Sequence, residues 1–230
     1  RCQGQGAGPV VRVQVCGLTH PDHALAATEA GADFVGVIFA PSRRRITLDV
    51  AQEVARALEL WYKMGVPRPA LVGVFADAPV EQVNAAARAC PLDWVQLSGS
   101  ESVDYCQRVD VPVIKALKLP AGLEAGDALA LLMAYREALA PGGGVLLVDS
   151  AVPGQYGGTG QPVDWAMAGE LARQVPFLLA GGLTPHNVSE AIGRVRPWGV
   201  DVSSGVETRG SKDIAKIRAF VRNARGTGKD

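Results

Sequence analysis

The chain has no excess of either charge: 23 lysines and arginines balance 23 aspartates and glutamates. A neutral surface gives no reason to expect nucleic acid or a membrane as partner. No apolar run reaches the roughly 18–20 residues that cross a bilayer, and residues 1–10 lack the apolar region of a signal peptide. Cysteine is sparse and irregular, at Cys2, Cys16, Cys90 and Cys106, with no Cys-x-x-Cys pair. That excludes a disulfide framework and leads us to expect reduced thiols in a cytoplasmic enzyme. His20, His23 and His186 show no zinc-ligand spacing, so no metal site is expected. No Pro/Gly/Ser-rich linker divides the chain and no internal repeat of 20–50 residues is visible by eye. We therefore expect a single domain over residues 11–230, preceded by a loose leader at residues 1–10.

What is present is alternation. Short β-branched runs at 11–16, 33–39, 71–75, 94–97, 112–116, 145–149, 177–180 and 199–203 read as strands. Several are apolar on both faces, as strands covered inside and outside must be. Between and after them, Ala/Leu/Glu/Arg-rich segments at 21–30, 47–62, 79–90, 101–109, 124–139, 162–174, 185–193 and 211–224 read as helices. Pro21, Pro79 and Pro162 fall at helix starts, Thr184 reads as a capping hydroxyl before Pro185, and Gly31 reads as a helix stop. Eight β-then-α units in 230 residues predict a closed (β/α)8 barrel, the TIM-barrel architecture, rather than an open sheet.

In such a barrel the C-terminal strand ends and the loops that follow them build the site. Three predicted strands end on or near chemically capable groups: Cys16, Lys115 and Asp149. Cys16 alone is more often a small buried hydrophobe; its place before Gly17-Leu18-Thr19 raises it to a candidate base. Asp149 precedes a glycine-bearing stretch (Gly154, Gly157, Gly158, Gly160) that could close over a substrate. The last two units carry Ala180-Gly181-Gly182-Leu183 and Asp201-Val202-Ser203-Ser204-Gly205. Glycines let backbone N–H groups approach an anion, serine hydroxyls add donors, and a helix start adds favourable dipole charge, so the pair reads as a phosphate cradle. Arg43, Arg44 and Arg45 form a basic loop after the second strand; one could grip a carboxylate, and spacing leaves the three equivalent.

Taken in order, Val15-Cys16-Gly17-Leu18-Thr19, Ser42-Arg43-Arg44-Arg45-Ile46, Val72-Gly73-Val74-Phe75, Val95-Gln96-Leu97 and Ile114-Lys115-Ala116 resemble the phosphoribosylanthranilate isomerase family. The resemblance continues through Asp149 with Gly157-Gly158-Thr159-Gly160, then Ala180-Gly181-Gly182-Leu183 and Gly199 to Glu207, and covers about residues 11–221. The family has histidine where this chain has Ser98 and proline where it has Arg43. The resemblance implies a single (β/α)8 barrel, without metal or organic cofactor, acting on a small phosphosugar as monomer or homodimer. The implied reaction is the Amadori rearrangement of N-(5-phosphoribosyl)anthranilate in tryptophan biosynthesis. It further implies Asp149 as general acid, Cys16 as general base and Arg44 as the carboxylate contact. Gly181, Gly182, Ser203 and Ser204, with Gly205 beside them, would hold the phosphate, and Gln96 and Asp201 would line the pocket.

That chemistry asks for a carboxyl pKa raised by burial at Asp149. It also asks for a thiol pKa lowered by helix N-termini and Arg44 at Cys16. Three rival readings remain: the aminoaldose isomerase of histidine biosynthesis, which carries aspartate at the Cys16 position; a thiol nucleophile paired with His20 or His23; and a non-catalytic phosphosugar-binding barrel.

Overall fold

A computed structural model describes residues 11–119, 123–150 (Ser150 in its backbone only) and 165–226. Residues 1–10, the Pro162 helix start and the glycine-bearing stretch after Asp149 lie outside the described residues. The strands are β1 (Arg12–Val15), β2 (Phe34–Ile38), β3 (Ala70–Phe75), β4 (Trp94–Leu97), β5 (Val113–Leu119), β6 (Val145–Ser150), β7 (Phe177–Leu179) and β8 (Gly199–Val202). They close into one barrel in sequence order, every neighbouring pair parallel, with β8 returning to β1. The helices are α1 (Pro21–Glu29), α2 (Leu48–Lys63), α3 (Val80–Ala89), α4 (Val103–Cys106), α5 (Ala125–Leu139), α6 (Trp165–Ala172), α7 (Val188–Val195) and α8 (Ile214–Ala224). No described helix is long and apolar enough to cross a membrane.

Burial follows from the closed topology. β2 and β8 are buried at every position because helices cover one face and the barrel interior the other. The interior is filled by alternate residues: Phe34, Val72, Ile114, Ala116, Leu147, Leu178 and Ala180 pack together. The intervening residues, such as Val13, Val35, Leu146 and Leu179, join the larger core beneath the helices.

Four expected boundaries need correction. β5 runs to Leu119, not 116, because its pairing with β6 continues through Lys118↔Asp149. α4 is one turn, Val103–Cys106, rather than 101–109, since Glu101 is drawn into a buried ion pair before the helix begins. α7 starts at Val188 with Asn187 as its cap residue, so Thr184 does not cap it. Instead, Asn187 Oδ1 accepts the Thr184 N–H at 2.7 Å, using the local backbone in a turn. α8 starts at Ile214, capped by Asp213, because Ser211–Lys212 pairs with Glu207–Thr208 in a small antiparallel hairpin, β10 on β9. Pro21 does open α1.

Candidate active site

Strand parity builds the mouth of the barrel. On β1, Val13 and Val15 face the helices, which leaves Gln14 and the following Cys16 to face inward. The same alternation turns Gln96 and Ser98 inward from β4, Ala116 and Lys118 from β5, Leu147 and Asp149 from β6, and Asp201 and Ser203 from β8. These residues line one cavity, together with Arg44 and an apolar wall of Ile38, Ala40 and Val74. Cys16, Asp149, Arg44, Gln96, Asp201 and Ser203, all singled out from the sequence, therefore share one space.

Beside it lies a smaller cavity formed by residues 180–183 and 201–205 with Asp149. Gly181 and Gly182 adopt left-handed φ of 95° and 66°, which other residues rarely tolerate. Gly205 meets a different constraint: a Cβ there would lie 1.9 Å from the Leu183 carbonyl oxygen, so only glycine lets the two loops meet. The helix start expected at this cradle is not α7, which begins too late. The nearest helical turn is the 3-10 turn Ser204–Val206.

The arginine loop resolves clearly. Arg43 and Arg45 are exposed, whereas Arg44 is 9% exposed and is the arginine of the three that lines the cavity. Its Nε and Nη2 donate to the two carboxylate oxygens of Glu207 at 2.5 and 3.2 Å, which orients the guanidinium.

Electrostatics reverse one expectation. Cys16 is not primed as a thiolate: its pKa is pushed up to about 12, first by burial and then by the Asp201 charge. Lys212, Arg44 and a hydrogen bond from Gln14 act in the lowering direction and are outweighed. Asp201 is itself raised to about 7, by burial and then by the Asp149 charge. Gln14 donates to Gln96 Oε1 at 2.6 Å, and Gln96 donates to Ser98 Oγ at 3.2 Å. Gln14 Oε1 and Asp201 Oδ1 are buried without a hydrogen-bond partner among the described residues, an arrangement that costs stability unless a ligand or proton completes it.

Other candidates fall away. Lys115 is not a mouth residue. With β5 extended it has the wrong parity, and its Nζ is buried against Glu101 Oε2 at 2.6 Å and the Gly99 carbonyl at 2.7 Å. His20 caps α1, accepting the Asp22 N–H at 3.2 Å, and His23 stacks edge-on against it; neither lines the cavity. Among the described residues no cluster of histidine, cysteine or carboxylate groups could hold a metal. Gln14 and Lys118 were missed. Alternation along each strand, counted in phase with Cys16 and Asp149, is the signal that finds them.

The family model for N-(5'phosphoribosyl)anthranilate (PRA) isomerase matches residues 13–223. The N-(5'-phosphoribosyl)anthranilate isomerase of Roseiflexus sp. (strain RS-1) is 48% identical over 217 residues, covering 94% of this chain and 98% of that protein. The crystal structure of phosphoribosyl anthranilate isomerase from Thermotoga maritima superposes with a TM-score of 0.79 at 35% identity, covering 94% and 99% of the two chains. A phosphoribosyl anthranilate isomerase in complex with reduced 1-(o-carboxyphenylamino)-1-deoxyribulose 5-phosphate gives a TM-score of 0.76 at 34% identity, with the same coverage. A barrel whose inward residues carry a thiol and two carboxyls beside two glycine-bearing loops, matched over this length, belongs to the N-(5'-phosphoribosyl)anthranilate isomerase family.

Proposed function

We propose that the cavity carries out the Amadori rearrangement of N-(5'-phosphoribosyl)anthranilate in tryptophan biosynthesis, with Asp149 as general acid and Cys16 as general base. The observation that carries this reading is the shared cavity: the two groups enter it from β6 and β1, and the phosphate cradle opens beside it through Asp149, Asp201 and Ser203. A phosphate held by Gly181, Gly182, Ser203, Ser204 and Gly205 leaves the ribose between thiol and carboxyl. The anthranilate ring lies on the wall of Ile38, Ala40 and Val74, with its carboxylate at Arg44.

Asp149 gives its proton to the furanose ring oxygen. The C1–O bond breaks as the anilino nitrogen lone pair forms a C1=N bond, leaving a cationic iminium. Cys16 then removes the C2 proton, and those electrons form the enolamine that tautomerises to the ketone. A free thiol near 12 holds its proton at neutral pH, so the thiolate has to arise within the complex. The iminium cation supplies the charge that lowers it, and a proton held by Asp201 removes the opposing charge. Gln96 and Asp201 complete the polar lining. Every step is a proton transfer or a bond shift within the substrate, so no cofactor is called for.

The test follows the fluorescence of freshly prepared phosphoribosylanthranilate. The wild-type chain is expected to consume it, and C16A and D149A to lose nearly all turnover. Near-full activity in either variant would sink the assignment.

A further inference from the structure

Two buried charges at the mouth transfer no proton in the acid–base scheme. Glu207 and Lys212 face each other in register across the β9–β10 hairpin, which folds back just beyond β8. Their side chains are 5% and 2% exposed, and Lys212 Nζ lies 3.1 Å from Glu207 Oε1. Both carboxylate oxygens of Glu207 accept from Arg44, and the exposed Arg43 also donates to Oε2 at 2.5 Å. Lys212 reaches the other way, donating to the Ser203 carbonyl oxygen at 2.7 Å and approaching Ser203 Oγ at 3.4 Å. Lys216 Nζ ties down the Glu207 carbonyl at 2.7 Å. Arg44 and Ser203 are also close to one another: a Cβ on Gly17 would meet Arg44 Cδ at 2.7 Å and Ser203 Oγ at 3.1 Å.

A chain of charge-assisted contacts thus runs Arg44–Glu207–Lys212–Ser203. Removing such groups from water is costly, and a hairpin could be anchored more cheaply by apolar packing. One carboxylate shared by two buried cations leaves the cluster net positive, which suits a cavity that must take a carboxylate and a phosphate at a fixed separation.

We propose that Glu207 and Lys212 are positioning residues that hold the carboxylate anchor Arg44 and the phosphate anchor Ser203 in one rigid frame. The inference rests on the reading of Arg44 and Ser203 given above. Glu207 acts through Arg44, and Lys212 acts through the Ser203 loop; neither touches the substrate.

Steady-state kinetics on R44A, E207Q, E207D, K212M and the double variant R44A/E207Q test it, with inorganic phosphate as competitive inhibitor. E207Q is expected to raise KM about tenfold or more while kcat falls less, the size of a lost charge-assisted hydrogen bond. In the R44A background the same substitution is expected to add little, because the residue through which it acts is gone. K212M is expected to weaken inhibition by inorganic phosphate. A glutamine beside two buried cations could unfold the hairpin, so E207D is the second arm: it keeps the charge, shortens the reach, and is expected to raise KM by a smaller factor in a folded protein. Raised KM in R44A beside wild-type KM in E207D and wild-type phosphate inhibition in K212M would overturn the inference alone. So would an E207Q effect of equal size with and without the Arg44 side chain. Wild-type KM in R44A would overturn the reading of Arg44, and the inference with it.

Discussion

The two ends of the barrel handle burial in opposite ways. At the N-terminal end Phe34 meets Trp94 edge-on at 5.7 Å and Trp198 at 6.1 Å, closing the floor with apolar surface. The charges there are matched: Asp33 takes Arg12 at 2.7 Å, the Val13 N–H at 2.7 Å and Arg225 at 2.6 Å. At the C-terminal end Asp201 Oδ1 and Gln14 Oε1 are buried without a hydrogen-bond partner among the described residues, and Cys16 and Asp201 sit in an environment that resists their ionisation. The same strands serve both ends. The floor pairs its buried groups and so stabilises the barrel, whereas the mouth keeps buried polar atoms unpaired among the described residues, as a site built to take a ligand would.

The sharpest break of this contrast is at Asp149. D149N is expected to lower kcat about a thousandfold, the scale of general acid catalysis, with the melting temperature nearly unchanged. A comparable loss of stability would place Asp149 with the floor. The converse substitution is F34A. Phe34 is 7% exposed in the interior packing, so the change should cost about 3 kcal/mol in urea unfolding and leave KM and kcat of the folded enzyme intact.

Asp201 gives a pH signature. Its folded value of about 7 lies above the ordinary 3.8, so between those values the folded state binds the extra proton and stability falls as pH rises. The slope is at most about 1.4 kcal/mol per pH unit, and D201N is expected to lack it. Wild type and D201N unfolding with parallel pH dependence would remove Asp201 from the strained end. A smaller effect is expected in thiol chemistry. The Asp201 charge raises Cys16, so D201N should lower that pKa and speed iodoacetamide labelling of Cys16, followed by mass spectrometry at fixed pH. The smallest effect belongs to R45A: exposed and outside the cavity, Arg45 should leave KM within error of wild type.

The barrel and most of the mouth were legible because they follow from local pattern. Short β-branched apolar runs placed all eight strands in the correct order. Cys16 and Asp149 were recognisable as polar residues ending apolar runs, and Gly181 and Gly182 as turn glycines. Lys115 was misread, because a strand stopped at 116 makes it look like an end, whereas pairing with β6 carries β5 to Leu119 and puts Lys118 at the mouth instead. Thr184 was misread because Asn187 competes for the same backbone groups. Glu207 could be seen only as one residue of a matching run; nothing near it in the chain announces a guanidinium that lies 163 residues earlier.

The sequence by itself determined the alternation of elements, the closed barrel and the residue types at its rim, because periodicity and turn chemistry act over a few residues. Residue pattern left the three arginines equivalent, and the tertiary structure decided which of them lines the cavity, which lysine faces it, and in which direction burial pushes the pKa of its groups. Closing the barrel removes Cys16 and Asp201 from water and sets Asp201 beside Asp149. Desolvation and charge proximity depend on distances across the fold, and no stretch of sequence contains them.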